Sequence, residues 1–199
     1  MKRNYHHGDL KDALFTGAEK ILRESGIKEL SMRSVARLVG VSEVAPYNHF
    51  SNKEELLEAL ATEGFRRLSK YINLSLKTDL AALEVEKIAL GYIRFALEHH
   101  HLFRLMFGHE ISDIKPSVGR LAASRASYEP IQTAVKLVNI SDTPTPVINI
   151  EDMTIGAWSL VHGLATLIID GKVSLPSNEI DRDQKILSIC KAYTVGIYL

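Results

Sequence analysis

Positions 42 to 53 read Ser42-Glu43-Val44-Ala45-Pro46-Tyr47-Asn48-His49-Phe50-Ser51-Asn52-Lys53. Hydroxyl, phenol, amide, imidazole and ammonium groups crowd into this run, and each can donate a hydrogen bond. Donors of this kind suit phosphate oxygens and base edges rather than covalent chemistry. Glu43 is the exception: its carboxylate repels phosphate, although it can accept from a cytosine amino group. Two further groupings have chemical potential. His99, His100, His101 and His109 offer imidazoles. Adjacent histidines on a helix point about 100° apart, so they do not easily share one ion. No cysteine cluster or carboxylate set accompanies them at ligand spacing, and neither a metal nor a cofactor is expected. Phe103, Met106 and Phe107, with Trp158 and His162, could line an apolar effector pocket, with Arg125 and Tyr128 as polar anchors. Plain core packing is the alternative for each of them. His162 follows Trp158 by four residues on one helical face and fits a ligand contact, a subunit interface or a satisfied core. Gly-rich phosphate loop, HExxH, nucleophile elbow and Cys-His pair are all missing, so the sequence does not read as an enzyme.

Helices must position these groups. Apolar residues recur at helical spacing, and no alternating strand or hairpin turn stands out. Leu10, Ala13, Leu14, Ala18, Ile21 and Leu22 form the apolar stripe of a first helix, with Asp9 as N-cap and Gly26 as terminating glycine. Ser31 caps a second helix over 32–38, which buries Val35, Ala36 and Met32. Gly40 makes the turn, and Ser42 caps a third helix over 43–48, with Pro46 near its start. A short helix, a glycine turn and a second short helix describe either a plain helix hairpin or a helix-turn-helix, whose second helix would present its N-terminal end to a DNA major groove. Small or apolar residues (Ala36, Gly40, Val41, Ala45) fall where the helices pack. Glu43, Val44, Tyr47, Asn48 and His49 are left to face outward. Ser51 and Glu54 predict a capping box for a long fourth helix reaching about residue 76. Further helices are expected over 79–98, 101–107, 116–138, 150–170 and 179–198, with a Pro144 and Pro146 loop between 139 and 149.

The chain has 199 residues, with 24 Lys plus Arg and 24 Asp plus Glu. A globally basic coat is excluded, while a local basic patch is not. The single cysteine, Cys190, allows no intrachain disulfide. The longest apolar stretch, 155–169, is interrupted by Ser159, His162 and Thr166, so no membrane span is expected. The N-terminal residues lack a signal-peptide core, and a soluble cytoplasmic protein is the expectation.

Val41 to Phe50 followed by Ser51-Asn52-Lys53-Glu54-Glu55-Leu56-Leu57, together with Ala18, Gly26 and the 31–41 segment, resembles the N-terminal domain of the TetR family of transcriptional repressors. Tyr5-His6-His7-Gly8-Asp9-Leu10, the 101–107 segment and Trp158-Ser159-Leu160-Val161-His162-Gly163 look like the TetR subgroup with a Trp-x-x-x-His-Gly signature. The fold implied is all-α: a three-helix helix-turn-helix DNA-binding domain over 1–70 and a larger helical effector-binding and dimerisation domain over 71–199. By resemblance, Ser42, Tyr47 and Lys53 would contact phosphates. Glu43, Val44, Asn48 and His49 would lie near base edges, Arg33 would touch backbone or bases, and Phe50 would be core. Lys2, Arg3, His6 and His7 would form either an arm on DNA or an incidental tail. The implied function is a ligand-responsive repressor binding palindromic double-stranded operator DNA as a homodimer and released by a small apolar molecule. For the dimer, Gly156, Ala157 and Gly163 permit close backbone approach, while Ile186, Ile189, Tyr193 and Ile197 make a stripe on the last helix. The same helices would serve equally to close the monomer core.

Overall fold

A computed structural model describes residues 7–80, 82–138 and 149–197, and among them every regular element is helical. Nine α-helices occur there: α1 (His7–Ser25), α2 (Met32–Val39), α3 (Lys53–Leu76), α4 (Glu84–Glu98), α5 (His100–Phe107), α6 (His109–Ser112), α7 (Val118–Val138), α8 (Ile150–Ile169) and α9 (Glu179–Ile197). A single 3-10 turn, Ala45–Asn48, lies between α2 and α3. The chain forms two compact units, Met1–Gly64 with His101–Leu121, and Phe65–His100 with Ala122–Leu199.

This division departs from a cut at residue 70. The 101–121 segment joins the first unit because it packs on the first half of α3. Met106 fills the space where a Cβ on Gly64 would sit. The Ser117 N–H donates to Glu58 Oε1 at 2.7 Å, and Arg120 pairs with Glu58 at 3.0 Å. Leu14, Ala18, Leu30, Val35, Ala36, Phe50, Leu56, Leu60 and Leu102 make this unit's core. In the second unit α4 packs on α8 and α9. Its core holds Leu68, Ile72, Leu90, Ile93, Phe95, Ala165 and Ile186. Gly91 is required there: a Cβ would come within 2.8 Å of Ile72 Cα and Tyr71 O.

Several caps differ from expectation. α1 already includes His7, so Asp9 lies inside the helix rather than at its cap. α3 starts at Lys53 with Asn52, not Ser51, accepting the Glu55 N–H at 2.8 Å, and Glu55, not Glu54, reaches back to the Ser51 N–H at 2.6 Å. That backbone hydrogen bond holds the Glu55 carboxyl below the usual range. α4 starts at Glu84 rather than after Asp79, where Glu86 Oε2 accepts the Leu83 N–H at 3.0 Å. Ser117, one residue past Pro116, caps α7 through the Arg120 N–H. α6 is an additional single turn, and α7 continues through Pro130. Gly26, Gly40 and Gly171 all take positive φ at helix ends, the first two as expected. By length and composition alone α8 is apolar enough to cross a membrane, a test that the core helix of a soluble protein also passes, so one such helix does not make a membrane span. The expected 139–149 loop lies, up to residue 148, outside the described residues, as do Lys2, Arg3, His6 and Tyr198.

Candidate nucleic-acid interface and effector site

The interface begins with a well-anchored α2. Ser31 Oγ accepts the Ser34 N–H at 3.0 Å, and Ser34 Oγ accepts the Ser31 N–H at 2.9 Å. This reciprocal cap uses serine where a glutamate is usual. Met32, Val35 and Ala36 are buried on its inner face. At its end the N–H groups of Gly40 and Val41 both donate to Ala36 O at 3.0 Å, which Gly40 permits with φ 78°.

Downstream of Gly40 the chain does not build the α-helix expected over 43–48. Pro46 has no N–H to return to Ser42 O, so the Ala45 N–H takes that acceptor at 3.0 Å, and the segment tightens into the 3-10 turn Ala45–Asn48. Val44, not Ser42, takes the N-cap position, and it makes no side-chain cap bond. Pro46 and Phe50 are buried and fix the turn against the core. The consequence is outward display. Val44 is 71% and Tyr47 55% exposed, while Ser42, Glu43 and Asn48 are exposed and His49 is half-buried. Arg33 on α2 is exposed, and its Nε donates to Glu43 Oε2 at 2.9 Å. Lys53 is half-buried, with Nζ donating to Ile27 O at 3.3 Å. These eight residues thus fall within one unit and, His49 and Lys53 apart, on its exposed surface. Arg37 is exposed one helical turn after Arg33 and was passed over in the sequence. Its spacing of four from Arg33 was the available signal.

The expected effector set divides between the units. Phe103 and Met106 are buried in the first unit, where the Phe103 and Phe107 ring centroids lie 5.2 Å apart. Arg125, Tyr128, Trp158 and His162 belong to the second. There Tyr92 Oη and His162 Nδ1 share a 2.9 Å hydrogen bond, and the Trp158 indole N–H donates to Tyr92 Oη at 3.4 Å. Tyr128 meets Trp158 edge-on, with centroids 6.1 Å apart. Burial pushes the Tyr92 phenol well above its ordinary range and lowers the His162 imidazole. Tyr92 was missed in the sequence because it lies in an apolar stretch of α4, and its polar tip was the only clue. Arg125 is exposed.

The histidine run divides likewise. His99 lies against Tyr71 at 3.3 Å in the second unit, and buried His101 faces Glu19 at 3.5 Å in the first. The side chains of His100 and His109 are exposed. Of the residues expected at a dimer interface, Ile186 is fully buried within the chain. Gly156 lies close to Tyr193, whose Oη would be 3.3 Å from an added Cβ. Gly163 faces open space among the described residues, and Ile189 is half-buried.

Comparison with known proteins gives two family matches. Residues 14–60 match "Bacterial regulatory proteins, tetR family", and residues 85–184 match "Tetracyclin repressor-like, C-terminal domain". Nucleoid occlusion factor SlmA of Haemophilus ducreyi is 34% identical over 102 residues, 49% of this chain and 50% of that protein. The chain thus matches about half the length of that relative. A protein of unknown function from Rhodococcus sp. RHA1 shares the fold with a TM-score of 0.80 at 28% identity, covering 98% of both chains. The TetR family transcriptional regulator PfmR from Thermus thermophilus has a TM-score of 0.64 at 16% identity, covering 89% of this chain and 94% of that one, and shows likeness of fold alone.

Proposed function

Because the chain belongs to the tetR family of bacterial regulatory proteins, and is therefore a DNA-binding regulator rather than an enzyme, we propose that it is a cytoplasmic, homodimeric repressor that binds a palindromic operator and is released by a small apolar effector. The observation that carries this reading is the outward display of Ser42, Val44, Tyr47 and Asn48 from a segment whose other face, Pro46 and Phe50, is locked into the core. Hydroxyl and phenol groups there serve phosphates, and Asn48 serves a base edge.

The dimer is supported by α8. Ile155 and Leu167 are 45% and 46% exposed, and Gly163 lies between them on the same helix with open space at its Cα. A second α8 would cover this stripe, and a two-fold dimer would set two recognition segments about one helical turn of DNA apart. Effector binding is assigned to Tyr92, Tyr128, Trp158 and His162, an aromatic group with polar tips on three helices of the second unit. Phe103, Met106 and Phe107 serve the first unit's packing instead.

The test is titration of labelled DNA from upstream of the protein's own gene, with a scrambled duplex as control. Saturable, salt-sensitive preference for the upstream fragment is expected, lost again on adding a compound that raises the thermal unfolding midpoint. Equal affinity for both fragments would overturn the operator reading.

A further inference from the structure

Arg33 and Glu43 lie ten residues apart, on α2 and in the turn before the 3-10 segment, with side chains 70% and 57% exposed. Among the described residues each side chain has one ion-pair partner, and it is the other. An exposed pair of this kind contributes little to stability. Its placement matters more, since it sits on the surface that also displays Val44, Tyr47 and Asn48.

With Nε given to Glu43 Oε2, Arg33 keeps the N–H groups of both terminal nitrogens, and Glu43 keeps Oε1. The pair therefore offers donors beside an acceptor, and it is neutral as a whole. In the major groove guanine shows two acceptors, N7 and O6, and its cytosine partner shows an amino donor beside them. An A·T pair shows acceptor, donor, acceptor and a methyl group, so it can engage each side chain singly but offers Arg33 no two adjacent acceptors. On the operator-binding reading above, we infer that Arg33 and Glu43 act as one unit that reads a G·C base pair in each half-site. Arg33 takes the guanine edge and Glu43 Oε1 the cytosine amino group. The Nε–Oε2 bond orients both side chains and removes the repulsion that a lone Glu43 would exert on the backbone.

The experiment is selection from randomised duplex DNA by the full chain, as wild type, Glu43→Gln, Arg33→Ala and the double variant, with circular dichroism confirming the fold of each. The wild type is expected to enrich a palindrome with one fixed G·C pair per half-site, and replacing that pair with A·T should weaken binding about 10- to 100-fold. Each single variant should reduce that penalty to a few-fold at the same position and at no other. The double variant should lose no more than a single one, as members of one unit do. Glu43→Gln should also bind random DNA more tightly than the wild type, because Arg33 is then uncompensated. Variants that retain the full penalty, or that relax two different positions, would overturn the coupled reading while leaving operator binding intact. A wild type that enriches no half-site would overturn both.

Discussion

Glu58 and Arg120 face each other at 3.0 Å, with only 12% and 11% of their side chains exposed. Glu58 also accepts the Ser117 N–H, and Arg120 donates to Ile114 O at 2.7 Å. The pair thus clamps the turn before α7 to α3 within the first unit. Breaking a largely buried ion pair leaves the survivor uncompensated, at a cost of about 3–5 kcal/mol. Arg120→Ala should therefore lower the stability measured by urea unfolding by that amount, and Arg120→Met with Glu58→Leu by much less. If Arg120→Ala unfolds within about 0.5 kcal/mol of the wild type, the clamp is not a stability element.

Tyr47 and Lys53 separate the proposed phosphate-binding role from stability. Tyr47 is 55% exposed, and half-buried Lys53 donates to the Ile27 carbonyl at 3.3 Å. Exposed substitutions usually change stability by less than about 0.5 kcal/mol. Tyr47→Ala should thus keep its stability and Lys53→Ala, which gives up one half-buried hydrogen bond, should lose about 1 kcal/mol and still fold, while both weaken operator and random DNA alike. Lys53→Ala should also reduce the slope of log affinity against log salt by about one. Anisotropy titrations at several salt concentrations decide the matter, and unchanged affinity in both variants removes these residues from the interface.

Much of this was legible in the sequence because it is local. Helical spacing, the Ser31 cap and the Gly40 turn depend on residues within a few positions, and all three stand in the structure. The 3-10 form of the 45–48 segment was legible only in part: Pro46 announces the missing donor, but the burial that holds so short a turn comes from the core around Phe50. The Arg33–Glu43 pair was not legible, because residues ten apart meet only once Gly40 has set the turn. The same limit hid the Tyr92–His162 bond, whose partners lie on α4 and α8. Residue type grouped Phe103, Met106 and Trp158 as one apolar lining, and nothing local showed that they belong to different units.

His162 supplies a pH dependence with a definite sign. Burial holds its imidazole below the ordinary value of 6.5, so the unfolded chain takes up this proton first as pH falls. Its contribution to stability is therefore complete above pH 6.5 and is lost as pH falls from there toward the folded value. His162→Asn keeps an acceptor for the Tyr92 hydroxyl and cannot titrate. Unfolding free energies at pH 7.5 and 5.5 should fall further for the wild type than for His162→Asn. Parallel losses in the two proteins would show that this imidazole titrates alike folded and unfolded.

Gly163 gives the sharpest test of the dimer, because the chain itself makes no demand on it. An added Cβ meets nothing within 4 Å among the described residues, and glycine inside a helix costs about 1 kcal/mol relative to alanine. Gly163→Glu should therefore leave the single chain as stable as before, or slightly more so. At a two-fold contact through α8, however, the same carboxylate would be buried twice, near its own symmetry copy and without a partner. An unpaired buried charge costs several kcal/mol, enough to shift dissociation by two or more orders of magnitude. Ile186→Ala provides the contrast. Ile186 is fully buried within the chain, so its truncation should cost about 2–5 kcal/mol of folding stability instead. Sedimentation velocity at micromolar concentration should show a dimeric wild type and a folded, monomeric Gly163→Glu chain. The monomer should then bind one half-site and lose the preference for the palindrome. A monomeric wild type would overturn the dimer, and a Gly163→Glu chain that remains fully dimeric would place the interface elsewhere.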